Sequence, residues 1–297
     1  MYPAEFEYLT PRTVDEVLEL LTRYGEDAKI LAGGQSLLPM MKLRIASPRY
    51  LIDVNRIGAL TGFKQEGDRF VFGALCRHVE IAESSLIREH LPLMSDAALV
   101  TADVQVRNRG TVGGSLAHAD PAGDWPVALL ALGARITITG VRGARTVPLD
   151  EFIVDAYTTQ LDAEEMLTEV SVPLPQKPCG GAYAKFEKRA GDFAVASVAV
   201  QLELDLESRC RSVAVSLGAL GPAPSLAREV GELLQGQAAS PELLDEAMRL
   251  VRKQADPFED TRGSVEYKRH LAGVLFRRAF AVAVDRARGL DVKALRL

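Results

Sequence analysis

Two double glycines, about 80 residues apart, constrain this chain more than any other feature: one lies in Leu31–Ser36 (LAGGQS), the other in Asn108–Asp124 (NRGTVGGSLAHADPAGD). Glycine lets the backbone take positive φ and come close to a ligand. Successive N–H groups in a tight turn, or at the start of a helix, form a concave anion site whose usual guest is phosphate. In LAGGQS an apolar extended piece precedes the glycines, a helical piece follows, and Gln35 and Ser36 add side-chain donors. Neither loop reads G-x-G-x-x-G or G-x-x-x-x-G-K-[ST], so both standard nucleotide fingerprints are absent. Taken singly, either loop is equally well an ordinary turn between a strand and a helix. The pairing is what suggests one device in two halves.

The second loop carries more chemistry. Arg109 offers a charge to phosphate, Thr111 and Ser115 offer hydroxyls, and Asp120 and Asp124 stand four residues apart. Such carboxylates serve as an acid–base pair, as partners for sugar or ring N–H groups, or, for Asp124, as the cap of a helix starting at Trp125. His118 has no second histidine or cysteine in ligand register and reads as a packed side chain rather than a metal ligand.

Around these loops the chain reads as α+β. Thr13 and Glu16 have capping-box spacing ahead of Val14, Val17, Leu18 and Leu21. Ala28–Ala32 and Tyr50–Val54 read as strands flanking the first loop, which makes 1–56 a small βαβ unit. Residues 57–176 form a larger unit, with a hairpin strand at Arg69–Gly73, a helical stretch from Val79 toward Val104 broken at Pro92, a helix over Trp125–Leu132, and strands at Arg135–Thr139 and Leu167–Val172. Three prolines and two glycines in Pro173–Gly181 mark a linker without regular structure. Residues 177–297 then read as a three-stranded antiparallel sheet (Ala182–Arg189, Ala196–Asp205, Ser212–Ala219) with helices over Pro241–Ala255 and Tyr267–Arg288. With 297 residues, 47% hydrophobic and 25% charged, the chain has room for such units. It contains no apolar run near the roughly 20 residues of a membrane span. The net charge of −5 argues against a broad nucleic-acid surface. Cys76, Cys179 and Cys210 are isolated, with no C-x-x-C spacing, so no metal centre is expected. The opening residues show neither a secretory nor a transit signal, and the expected location is the cytoplasm.

Three segments together carry a resemblance: AGGQSLLPMMKLR at Ala32–Arg44, NRGTVGGSLAHADPAGDWP at Asn108–Pro126 and KRAGDFA at Lys188–Ala194. In this order and spacing the chain resembles, over essentially its whole length, the FAD-binding medium subunit of the molybdenum hydroxylases, the family of carbon monoxide dehydrogenase and of bacterial xanthine- and N-heterocycle-oxidising enzymes. The resemblance implies non-covalent FAD lying between the first two units. Ala32, Gly33, Gly34, Gln35 and Ser36 would hold its phosphates and ribityl chain from one side, and Thr111, Val112, Gly113, Gly114 and Ser115 from the other. It further implies a cofactor contact at Asp124, more variable contacts at Thr101, Leu167 and Lys185, and Phe193 beside the isoalloxazine ring. Many relatives carry His at the place of Gln35 and Asn or Asp at that of Ser115.

The implied function is that of an electron-transfer flavoprotein. Molybdenum–pterin would belong to a large partner subunit and two [2Fe-2S] clusters to a small one, in a dimer of heterotrimers, and no side chain of this chain need act as acid, base or nucleophile. Two other readings fit the glycine loops: a stand-alone flavin oxidoreductase with its own substrate, and a non-catalytic phosphate-binding module. Reduction of the isolated chain's flavin by a small substrate would mark the first, and a colourless protein the second.

Overall fold

The computed structural model describes residues 2–295, and the elements below are those of the described residues. Strand β1 (Glu7–Leu9) leads into α1 (Val14–Tyr24), where the Thr13 hydroxyl accepts from the Glu16 N–H and the Glu16 carboxylate accepts from the Arg12 N–H. That start aligns Val17, Leu18 and Leu21 on the buried face. With β2 (Ala28–Leu31), α2 (Leu37–Lys42) and β3 (Tyr50–Asp53), the first unit is a parallel sheet in the order β1-β3-β2. The first glycine loop is the connection from β2 to α2.

The second unit begins with the hairpin β4 (Phe63–Glu66) and β5 (Arg69–Gly73). The helical stretch that the sequence predicts from Val79 divides into α3 (His78–Glu83), α4 (Ser85–His90) and α5 (Pro92–Val100). Ser84 makes the first division by accepting from the Ile87 N–H, and Pro92 makes the second by occupying the first position of α5. Then follow α6 (Val104–Arg109), α7 (Val112–His118) and α8 (Asp124–Ala131), with the second glycine pair in the first turn of α7. Strands β6 (Arg135–Gly140) and β7 (Gly143–Pro148), the short α9 (Leu149–Phe152), the small pair β8 (Ile153–Asp155) and β9 (Thr158–Thr159), and β10 (Glu165–Pro173) complete the unit. Its antiparallel sheet runs β4-β5-β10-β6-β7 and packs Phe70, Phe72, Ile136 and Val170 against Trp125, Leu129 and Phe152.

The C-terminal sheet has four strands rather than the expected three: β11 (Cys179–Phe186), β12 (Ala196–Leu204), β13 (Cys210–Gly218) and β14 (Ser225–Leu226). Two-residue β14 is too short to leave a period in the sequence. The expected linker also ends early, because Gly180 and Gly181 lie inside β11, paired with Leu202 and Gln201. Their glycines answer to packing rather than to a turn. A Cβ on Gly180 would stand 2.0 Å from the Ala283 carbonyl oxygen. Helices α10 (Arg228–Leu234), α11 (Pro241–Gln254) and α12 (Val265–Ala287) cover this sheet, with Phe276, Ala279, Phe280 and Ala283 of α12 in its core.

Helix α8, every residue of which is buried, packs between the second unit's core and the C-terminal sheet. The Ser216 hydroxyl of β13 donates to the Val127 carbonyl at 2.6 Å, and a Cβ on Gly218 would stand 2.3 Å from the Val127 side chain. Among the described residues no helix is long and apolar enough to cross a membrane.

Candidate cofactor site

The structure brings the two glycine loops into direct contact. A Cβ on Gly33 would lie 2.3 Å from the Arg109 carbonyl oxygen and 2.8 Å from Gly110 Cα, and one on Gly114 would lie 3.7 Å from Ala32 Cβ. Only a residue without a side chain permits that approach at Gly33. Gly34 has φ +75°, the left-handed conformation that turns the chain from β2 into α2.

The loops differ in what they leave free. In the first, the backbone N–H groups of Gly33, Gly34, Gln35 and Ser36 have no hydrogen-bond acceptor among the described residues, while the Gln35 amide donates to the Gly33 carbonyl at 3.1 Å. Four consecutive unpaired donors in a turn form a cradle for an anion. In the second loop the donors are already engaged. Val112 N–H donates to the Cys76 carbonyl and Gly113 N–H to the Ala74 carbonyl, each at 3.0 Å. Gly114 N–H donates to Thr111 Oγ1 and Ser115 N–H to the Thr111 carbonyl, again each at 3.0 Å. From this side the hydroxyls of Thr111 and Ser115 remain to offer protons, and the backbone serves as a rigid wall.

Leu167 lies in the core behind that wall, at the irregularity of β10, where the Thr168 carbonyl accepts from the Ala74 N–H. The other expected contacts form a second cluster. Asp124 is the first residue of α8 and does not cap it: Gly123 is the cap residue, without a side-chain bond. Instead the Asp124 carboxylate turns toward the C-terminal sheet, where Oδ1 accepts from the Tyr183 hydroxyl at 2.7 Å and Oδ2 accepts from Lys185 Nζ at 3.2 Å. Lys185 also donates to the Val100 carbonyl at 3.1 Å and lies 3.1 Å from a Glu187 carboxylate oxygen. Burial raises the Asp124 pKa, against the opposing pull of the Lys185 charge and of the Tyr183 hydrogen bond. The same burial, with the Asp124 charge beside it, raises the Tyr183 hydroxyl well above its ordinary value. Thr101, also buried, ends α5 next to Val100 and donates to the Ala97 carbonyl at 2.7 Å.

Phe193 stands apart from these, 48% exposed on the connection between β11 and β12, with the Arg262 guanidinium 6.0 Å from its ring centroid. That connection lies over the junction of α5 and α6, since a Cβ on Gly191 would be 3.4 Å from Asp103 N. His118 and Asp120 approach to 4.0 Å beyond the end of α7, and Tyr157 donates to Asp120 at 3.3 Å. Burial lowers the His118 pKa. Among the described residues no group of three or more His, Cys, Asp or Glu is placed to hold a metal ion.

The sequence reading missed Tyr183 and Glu187, because Asp124 and its partners stand about 60 residues apart and no spacing rule connects them. It also passed over His78, which stacks on Trp125 with ring centroids 5.3 Å apart and lies against Gly110 of the second loop. Continuity runs from Gly33 through Gly110, His78 and Trp125 to Asp124, so the loop pair and the Asp124 cluster share one wall.

The fold and site define an α+β protein with a turn of unpaired backbone N–H groups where two units meet and a third unit packed on α8. Comparison with known proteins narrows this class. The family model for the FAD binding domain in molybdopterin dehydrogenase matches residues 4–175, and that for the CO dehydrogenase flavoprotein C-terminal domain matches residues 181–283. The carbon monoxide dehydrogenase medium chain of Hydrogenophaga pseudoflava is 40% identical over 95% of this chain and 98% of its own length. The nicotine 6-hydroxylase medium subunit of Paenarthrobacter nicotinovorans is 38% identical over 93% and 96%. Among solved structures, carbon monoxide dehydrogenase from Hydrogenophaga pseudoflava superposes with TM-score 0.94 at 40% identity, covering 96% of this chain and 99% of that one. Quinoline 2-oxidoreductase from Pseudomonas putida 86 superposes with TM-score 0.91 at 30% identity, covering 97% and 99%. The chain belongs to the FAD-binding medium subunits of the molybdenum hydroxylases, the carbon monoxide dehydrogenase type among them.

Proposed function

We propose that this chain holds one FAD with the pyrophosphate on the free N–H groups of Gly33–Ser36, beside Ala32, and against the wall Thr111–Ser115. The observation that carries this reading is the run of four unpaired donors in the first loop, set against a second loop whose own donors are engaged. A diphosphate fits such a donor set, and Arg109 adds positive charge beside it. Leu167 lies behind the wall, Thr101, Asp124 and Lys185 line its continuation, and Phe193 flanks the ring end.

The chemistry that FAD supplies when bound is collection of electrons from the iron–sulfur clusters of a small partner chain and their delivery in pairs to an external acceptor, downstream of oxidation on a large molybdenum-bearing partner. The chain's own residues bind, orient and shield; none is assigned an acid, base or nucleophile role. Substrate choice belongs to the large partner. Relatives named for carbon monoxide, nicotine, glyceraldehyde and caffeine are 32–40% identical to this chain over nearly its full length, which supports placing substrate choice outside the medium subunit.

Purified with its partners, or alone and refolded with FAD, the chain is expected to show flavin absorption amounting to about one FAD per chain. Gly33→Val should lose most of it, because the added side chain begins 2.3 Å from the Arg109 carbonyl. A wild-type chain that takes up no FAD under either condition would refute the proposal.

A further inference from the structure

The contact between the glycine loops is held by two side chains that belong to neither loop. Asn55 follows β3 in the first unit. Its Nδ2 donates to the Ala32 carbonyl at 2.9 Å and to Asp53 Oδ1 at 2.5 Å, and Asp53 Oδ1 also accepts the Asn55 N–H at 2.8 Å. Tyr8 of β1 donates its hydroxyl to the other Asp53 oxygen. Arg77 belongs to the second unit, where its backbone pairs with Thr111 and its N–H is accepted by the Glu80 carboxylate at 2.5 Å. One arm of its guanidinium donates to the Arg109 carbonyl, and the other donates to Asn55 Oδ1 at 2.5 Å.

The path therefore closes: Ala32 carbonyl to Asn55, Asn55 to Arg77, Arg77 to Arg109 carbonyl, and that carbonyl back against Gly33. Two features mark it as more than incidental surface bonding. Asn55 and Arg77 are both half-buried, and every bond is made to a backbone group of a loop or between the two side chains. The guanidinium's planar fork suits this, because one arm grips a carbonyl while the other grips an amide oxygen in fixed relation.

We propose that Asn55 and Arg77 are positioning residues, a clasp that fixes the separation of the two glycine loops and thereby sets how tightly and for how long the chain retains FAD. The proposal rests on the FAD reading above. Neither residue touches the cofactor in this scheme: each acts through the carbonyl it holds, at Ala32 on one side and at Arg109 on the other. With the clasp open, the cradle donors of Gly33–Ser36 lose their fixed distance to the wall at Thr111, and the cost falls on the dinucleotide rather than on the fold.

The test is a set of variants of the full chain, R77M, N55A, R77K and the double variant N55A/R77M, titrated with FAD by fluorescence, with dissociation followed on dilution and urea unfolding recorded without FAD. Loss of a charged hydrogen bond at the loop contact is expected to weaken FAD binding about ten- to a hundredfold in R77M and in N55A, mainly through faster dissociation. The double variant should be no worse than the weaker single one, since both break the same connection. R77K, which keeps the charge on a single nitrogen and loses the planar fork, should fall between wild type and R77M. Unfolding midpoints without FAD should stay close to wild type. Wild-type affinity in both R77M and N55A, fully additive losses in the double variant, or losses matched by equal destabilisation of the FAD-free chain would overturn the clasp. A wild-type chain that binds no FAD would instead overturn the functional reading, and the clasp with it.

Discussion

His78 is a histidine that the fold keeps neutral. It is buried against Gly110 and stacked on Trp125 at an interplanar angle of 29°. Burial, and after it the charges of Arg77 and Arg107, lowers its pKa from 6.5 to about 3. A folded pKa below the ordinary value means that this contribution to stability is complete above pH 6.5 and drains away as pH falls, because the unfolded chain takes up the proton first. For one such group the loss is about 1.4 kcal/mol per pH unit, or about 2 kcal/mol by pH 5. Urea unfolding at pH 7.5 and pH 5 should therefore show a smaller acid penalty in His78→Phe, which keeps a stacking ring and loses the titration. An equal penalty in both proteins would count against this account. From the sequence, His118 draws attention because it sits in the glycine-rich segment, while His78 sits in an ordinary stretch before a helix. What distinguishes His78 is its burial against Gly110 and Trp125, which are about 30 and 50 residues away.

Elements were legible where a local signal existed and illegible where packing alone decided. Thr13 with Glu16, Pro92, and the strand-to-helix context of Gly33-Gly34 all announce local structure, and the structure places α1, α5, β2 and α2 accordingly. Gly180 and Gly181 mislead, because composition near three prolines suggests a loop, whereas α12 requires bare backbone in a strand. Asp124 misleads in the same way: its position at a helix start suggests a cap, and its carboxylate serves the next sheet instead. Gly180→Ala tests the first of these. Its Cβ would meet the Ala283 carbonyl at 2.0 Å, so β11 and α12 must separate, with an expected loss of about 1–3 kcal/mol in urea unfolding. A variant as stable as wild type would show that the strand and helix shift without penalty.

At the scale of the whole molecule, two buried ion pairs join the C-terminal unit to the rest. Arg286 of α12 pairs with Asp96 of α5 through both carboxylate oxygens, at 2.6 and 3.0 Å, and Lys185 of β11 pairs with Asp124 of α8 at 3.2 Å. Removing one member of such a pair leaves a charge without its partner, at about 3–5 kcal/mol. Lys185→Met should approach that figure, because Asp124 is then left with the Tyr183 hydroxyl alone. Asp124→Asn should cost less, since Lys185 retains the Val100 carbonyl and the Glu187 carboxylate. Unfolding of the FAD-free variants checks the order, and a D124N protein less stable than the K185M protein would contradict it. Neither pair was readable from the sequence, where the members lie 190 and 61 positions apart. The same seam bears on modularity. Two family descriptions divide this chain between residues 175 and 181, yet α8, buried along its whole length, belongs to a core that Tyr183 and Ala199 of the C-terminal sheet help to fill from across that division. Lifting away the C-terminal unit would bare the face of α8 that packs on the sheet and leave the Asp124 carboxylate without Tyr183 and Lys185. The boundary is thus one that a chain can cross in descent, by fusion or exchange of coding segments, only if the two pieces arrive already fitted to each other.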